Sequence, residues 1–339
     1  MGNKLQIRDI AKLAGVSPIT VSRYVNNPER VSLKTREKIA KVIKTTGYIP
    51  NAVARSFSNS RSNIIGVIIP SVSHSSYGTF LQGLVDIFEN NKYQLLTCSS
   101  GYSDDREEKL IETLISQQAA AIVLTGQQHT NRSKQLLHNF DNPVVETWEI
   151  DQTPIDLGVG FSNYRATRDA TSMLIKKGYK KIGFIGPSTE GNDRILKRKN
   201  SFIDTLQRAG LAVNDEWIID TPSSSHMISY RNGAIAMDRL LNAKDMPEAV
   251  FIASDILAIA ALSECQRQKV KVPEEIALCG FDDHELSALQ NPALSTVQVP
   301  YYQMGKLAAE QVLLRLSDKP IETSCIDIGY EIITRQSTK

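Results

Sequence analysis

The stretch Ile7-Arg-Asp-Ile-Ala-Lys-Leu-Ala-Gly15-Val-Ser17-Pro18-Ile-Thr-Val-Ser-Arg23-Tyr-Val25 decides how the chain begins and what the rest must serve. Ile7, Ile10, Ala11 and Ala14 recur at helical spacing and give a first helix its apolar face. Gly15 can take the left-handed backbone that a helix C-cap wants, and Ser17 can cap the next helix. Pro18 stands at the first position of that second helix, where its missing N–H costs nothing. The second helix, Pro18 to Val25, turns Val21 and Val25 inward and leaves Ile19, Thr20, Ser22 and Arg23 outside. A third amphipathic helix starts at Ser32 and runs to about Thr46, with Ile39, Val42 and Ile43 as its stripe, and Gly47 ends it. Short helices with a glycine turn between the first two make a helix-turn-helix.

Charge divides unevenly along the chain. Residues 1–61 hold twelve Lys and Arg against three acids, Asp9, Glu29 and Glu37, while the whole chain carries only +2; the head is therefore +9 and the remainder −7. A small basic head on a larger acidic body implies that the head alone meets a polyanion, the alternative being a merely solvated basic face. The 339 residues suffice for two or three domains with sizeable cores. With 41% hydrophobic and 22% charged residues, the composition is that of a soluble globular protein. No stretch approaches the roughly 18 apolar residues of a membrane span. Met1 to Arg8 lacks the apolar segment of a secretory signal, so a cytoplasmic protein with no membrane partner is expected. Cys98, Cys265, Cys279 and Cys325 lie far apart without metal-ligand spacing and read as reduced thiols; no metal and no cofactor are expected.

From Ile64 onward the pattern alternates between strand and helix. Ile65–Ile69, Tyr93–Thr97, Ala121–Leu124 and Val144-Val145 read as buried strands, separated by helices near 79–91, 104–118 and 131–140. A second series has strands at Lys181–Ile185, Ala249–Ala253 and Ala277–Phe281, with helices near 163–177, 198–209, 228–241 and 255–268. Repeated β-α-β units imply an α/β body of two doubly wound parallel sheets, each covered by helices on both faces. Ligands bind such sheets at the carboxyl ends of the strands, so two facing lobes make a cleft. No catalytic residue is assigned. There is no nucleophile elbow, metal-ligand cluster or dinucleotide fingerprint, and Gly186-Pro-Ser-Thr-Glu-Gly191 lacks the lysine of a phosphate-binding loop. A solute-binding protein for transport would share the body, but it would need export and has no use for a helix-turn-helix.

Ala11-Lys-Leu-Ala-Gly15-Val-Ser17, then Thr20-Val21-Ser22-Arg23, then Gly47-Tyr48-Ile49-Pro50-Asn51 together resemble the N-terminal signature of the LacI/GalR repressor family. That resemblance covers nearly the whole chain and implies a DNA-binding transcription repressor, not an enzyme. Residues 1–48 would be the helix-turn-helix domain, 49–61 a hinge helix and linker, and 62–339 a periplasmic-binding-protein-like core for ligand binding and dimerisation. In that core the N-lobe takes about 62–161 and 292–323, the C-lobe about 162–291 and 324–339, and the chain crosses near 160–163, 288–293 and 322–327. The second helix would be the recognition helix in the major groove of a palindromic operator. Pro18 and Ile19, at the family's specificity positions, would read apolar features such as thymine methyls. Arg23 would clamp a guanine, or else a phosphate, while Ser17, Thr20 and Ser22 touch phosphates.

The resemblance implies further that residues 50–58 fold on operator DNA in the minor groove. There Asn51 closes the family signature, Ala52 and Ala54 keep the profile narrow, and Arg55 supplies charge. Phe57 stands where the family usually has leucine and would wedge into the central base step, unless it packs on the core. The chain ends at Lys339 without a leucine heptad, so a homodimer, joined through helix 79–91 and the segment after Tyr301, is expected. Ser71, Tyr77, Glu146, Arg198 and Asp282 carry over to the cleft, with Arg198 and Asp282 as the family's sugar-binding pair. Ser254 stands where Asn is usual and is shorter. His129-Thr130, Pro143–Glu146, Asp156–Asn163, Ser223-Ser224-Ser225, Glu264–Arg267 and Gly280-Phe281 with His284 resemble the gluconate-operon branch. The implied effector is a sugar acid such as gluconate, its carboxylate on Arg198, with Arg194 or Lys199, and its hydroxyls on Glu146, Asp282 and His129. His129 could instead be a surface loop residue and Glu146 half of an internal ion pair. An inducer is favoured over a corepressor.

Overall fold

Gln6 and Ser17 open the first two helices of the chain. The computed structural model describes residues 5–49, 62–222 and 229–338, and the chain divides into two compact units, Met1–Ser62 and Asn63–Lys339. In the first unit, α1 (Ile7–Ala14) starts where the Gln6 N–H donates to the Asp9 carboxylate at 2.8 Å. It stops on Gly15, whose φ of 65° is left-handed. The Ser17 hydroxyl accepts the Thr20 N–H at 3.1 Å and so caps α2 (Pro18–Asn26). Ser32 precedes α3 (Leu33–Thr46), which ends on Gly47. Ile10, Ala11, Ala14, Val21 and Ile39 form the buried core, bordered by Tyr24, Val42 and Ile43. Each of its large aliphatic side chains contributes about 1.5–3 kcal/mol, so this head stands near the lower size limit for a domain.

The second unit holds two sheets. The first runs in the order β11 (Cys325–Asp327), β5 (Leu157–Gly160), β4 (Val144–Thr147), β3 (Ala121–Thr125), β1 (Ile64–Ile69), β2 (Gln94–Ser99), all parallel. The other is ordered β12 (Glu331–Ile333), β10 (Ser295–Gln298), β9 (Ala277–Asp282), β8 (Ala249–Ile252), β6 (Ile182–Pro187), β7 (Ile218–Thr221), and only β12 is antiparallel to its neighbour. The helices are α4 (Ser75–Asn90), α5 (Asp104–Ser116), α6 (Asn131–His138), α7 (Asn163–Lys176), α8 (Asp193–Arg208), α9 (Tyr230–Leu241), α10 (Asp255–Arg267) and α11 (Tyr301–Leu316). α4 and α11 touch backbone to backbone: a Cβ on Gly83 would fall 2.2 Å from the Tyr302 carbonyl oxygen.

This is the doubly wound, two-lobed, periplasmic-binding-protein-like architecture, joined in one chain to an all-α helix-turn-helix. Two crossings differ from expectation. Because β10 pairs with β9 and β11 with β5, the chain leaves the second sheet after Gln298 and returns after Asp327, later than 288–293 and 322–327. Cys265 and Cys279 are fully buried and all cysteines are free. Among the described residues no helix is long and apolar enough to cross a membrane.

Candidate nucleic-acid interface and ligand cleft

The caps of α1 and α2 fix which side chains the head presents. Val21 is fully buried, so the opposite face of α2 carries Pro18, Ile19 and Arg23 outward, with Ile19 65% exposed. The Ser17 and Thr20 hydroxyls are tied to each other at 2.8 Å, and Ser22 is half-buried. Arg36 is committed to Glu29 at 3.1 Å and to the Val31 carbonyl at 2.7 Å. Arg23, by contrast, makes no ion pair among the described residues and stands exposed on the same face as Ile19. Asn51, Ala54, Arg55 and Phe57, with Ala52 and Ser223–Ser225, lie outside the described residues.

In the body, the carboxyl ends of both sheets converge on one cleft, as strand-end chemistry requires. Its inner chamber, about 30 Å³, has room for about one or two waters. Tyr77 enters from α4, Trp148 from just past β4, Arg198 from α8 and Asp282 from the end of β9. Trp148 stacks on Tyr301 with centroids 4.5 Å apart and leans on Tyr77 at 4.6 Å, an aromatic floor suited to the apolar faces of a sugar chain. Arg198 donates to the Asn163 side-chain oxygen at 2.9 Å and the Ala253 carbonyl at 2.8 Å, its guanidinium 3.4 Å from the Phe281 ring centre. Asp282 accepts from the Tyr301 hydroxyl at 2.6 Å and from Ser254 at 3.3 Å. Its φ of 116° is costly for a non-glycine residue, about 1–3 kcal/mol.

Burial sets the electrostatics. It raises the Asp282 carboxyl, against the pull of Arg198, and pushes Arg198 down, against the pull of Asp282. His74, 3.7 Å from Asp282, is lowered to about 4 by burial and then by Arg198, so it is neutral at pH 7. His74 Nδ1 and Trp148 Nε1 are both buried without a hydrogen-bond partner among the described residues, and both residues line the inner chamber. Orphaned polar atoms of this kind point to a bound polar group.

The structure brings Tyr77, Arg198 and Asp282 together and holds other expected cleft residues elsewhere. Glu146 is expected just after a strand ending at Val145; β4 instead continues to Thr147, so Glu146 lies within it and points into its own lobe. There it accepts the Ile155 N–H at 2.5 Å and sits 3.3 Å from His129, whose other ring nitrogen is 2.5 Å from Glu107. His129 is buried, not a surface loop residue, and neither it nor Glu146 lines the chamber. Ser71 bonds Ser73 at 2.8 Å and also stands off the chamber walls. Arg198, expected at a helix start, is a turn inside α8, because Asn192 caps that helix at residue 193. His74, Trp148 and Asn192 are cleft residues that the sequence reading misses, although each comes after a strand end, the signal that marks such sites.

The pattern of the lacI family of bacterial regulatory proteins matches residues 6–51, and that of the periplasmic binding protein-like domain matches 171–338. The HTH-type transcriptional regulator GntR of Escherichia coli (strain K12) is 30% identical over 326 residues, 96% of each chain. A crystal structure of a LacI family transcriptional regulator from Silicibacter pomeroyi has a TM-score of 0.91 at 28% identity, over 98% of this chain and 99% of that one. The lac repressor dimer bound to operator and the anti-inducer ONPF, 22% identical, shares the fold with a TM-score of 0.82 over 99% of both chains.

Proposed function

As the chain belongs to the lacI family of bacterial regulatory proteins, we propose that it is a repressor released from its operator by a sugar acid, gluconate foremost. One observation carries the effector class. Two buried guanidiniums of α8, Arg194 and Arg198, face the same cleft as the Asp282 carboxylate, over an aromatic floor. Guanidinium forks suit a carboxylate and chain oxygens, and a carboxylate suits hydroxyl donors. The 30% identity to a regulator named GntR supports the same class.

On DNA, the exposed Pro18 and Ile19 read apolar base edges, Arg23 clamps a guanine, and Ser17, Thr20 and Ser22 bond phosphates. Asn51, Ala54 and Arg55 track the minor groove while Phe57 opens the central step. A second copy doubles these contacts on a palindrome. The second copy would pack on α4 and the segment after Tyr301, where Tyr302 is exposed. The effector acts by linkage: whatever it gains by preferring the closed cleft is taken from DNA affinity, and a few kcal/mol of preference is enough.

Calorimetric titration of the full chain with gluconate, ribose and hypoxanthine tests the effector class. Saturable heat from gluconate alone is expected. Binding of ribose or hypoxanthine in its place would assign the cleft to a different class of effector.

A further inference from the structure

Arg194 stands between two spaces. Beyond the inner chamber lies an outer one of about 230 Å³, and Tyr102, Asn192 and Arg194 line both. A small-molecule site occupies roughly 300–1,000 Å³. Neither chamber reaches that alone, and joined they approach its lower end. Of the three shared side chains, Arg194 is the one that reaches from α8 of the second lobe to Thr125 and Tyr77 of the first.

That side chain is built in yet loosely held. Arg194 is 6% exposed. Its three contacts lie at 3.4 Å to the Thr125 carbonyl, 3.4 Å to Asp193 and 3.5 Å to the Tyr77 hydroxyl, beyond the usual 2.7–3.2 Å of an N–H···O bond. A guanidinium has five donors, and among the described residues these long contacts are the hydrogen bonds that hold it. Arg198, one turn on, is fixed by two short bonds and a ring face. The end of β3 leaves space for the Arg194 head: a Cβ on Gly126 would fall 2.8 Å from its nitrogen.

We propose that Arg194 is a movable partition and the charge reader of the cleft: a ligand carboxylate draws its guanidinium off Thr125 and Tyr77, the two chambers merge, and the hydroxylated chain extends into the outer one. This rests on the sugar-acid reading and assigns the division of labour within it. Arg198 is then a fixed donor to the ligand's neutral oxygens. Ser103, Asp104, Glu107 and Asp193 wall the outer chamber. Their oxygens accept from hydroxyls and repel a second carboxylate, so the ligand class is an acyclic polyhydroxy monocarboxylate.

Gluconate and its uncharged counterpart glucitol separate the charge from the chain. Titrated calorimetrically into the full-length protein, gluconate should bind about 100-fold tighter than glucitol, the order expected of a charge-assisted pair. In Arg194→Gln that ratio should collapse to about threefold, with glucitol affinity not reduced. Arg194→Lys keeps the charge and loses the fork, and should retain about a tenth of the gluconate affinity. It also reads out the idea should the glutamine variant fail to fold. An unchanged gluconate-to-glucitol ratio in the variants, or an equal loss for both ligands, overturns the partition and leaves the sugar-acid reading intact. Wild-type protein that binds neither compound overturns that reading, and the partition with it.

Discussion

His129 carries a charge that its position forces on it. Burial opposes protonation, but Glu107 and Glu146 outweigh it and raise the imidazole to about 9. The folded protein therefore holds this proton more tightly than the unfolded chain. The resulting stability is full below about pH 6.5 and is lost as the pH rises through about 9. Removing the cation strands the buried Glu146 and the half-buried Glu107, so His129→Gln should cost about 3 kcal/mol at pH 6.5. Urea melts of both proteins should show that gap narrowing by pH 9.5; a gap independent of pH would remove the charge from the explanation. In the cleft, Asp282→Asn keeps the shape and loses the charge. It should weaken gluconate binding by about 10- to 100-fold and leave DNA affinity unchanged. Release of DNA at the wild-type gluconate concentration would mean that Asp282 does not touch the effector.

At the level of elements, two hinges of function can be tested separately. Gly191, just before α8, has φ +62°, and a Cβ there would fall 2.1 Å from the Tyr102 carbonyl oxygen of the opposite lobe. Gly191→Ala should cost about 1–2 kcal/mol of stability from backbone strain and, separately, lower gluconate affinity by obstructing the approach of the lobes. Unchanged affinity would mean that this contact does not limit closure. Phe57→Ala should weaken specific DNA binding more than non-specific binding, since only a specific complex gains from a parted central step; equal losses would sink the wedge. Legibility in the sequence also divides by element. The helices of the head can be read almost to the residue because their caps, Ser17 and Gly15, and their apolar faces are local signals. β4 reads too short because Glu146 breaks the apolar run, and its tertiary partners, His129 and the Ile155 N–H, make a buried strand carboxylate tolerable. The start of α8 is hidden because Asp193–Lys197 is mostly polar and its cap comes after a loop. β5, β7 and β10–β12 are three to four residues each, too short for a periodic signal. His74 and Trp148 follow strand ends, but that signal does not say which residue of a loop will fold beside partners distant in sequence.

For the whole molecule, the split in charge and the split in packing coincide. The +9 head has its own small core, and none of the body's core residues comes from it. Deleting residues 1–61 should therefore leave a folded, gluconate-binding body without measurable DNA affinity, as calorimetry and a gel-shift assay would report. Loss of folding would mean that the body depends on the head. Release of DNA by the effector is tested most directly by one measurement: fluorescence anisotropy of the full-length protein on its own promoter DNA, with and without gluconate, at fixed salt because phosphate contacts make affinity steeply salt-dependent. The prediction is tight binding that gluconate releases and ribose and hypoxanthine do not. Tight binding that gluconate leaves untouched, or strengthens, would contradict it.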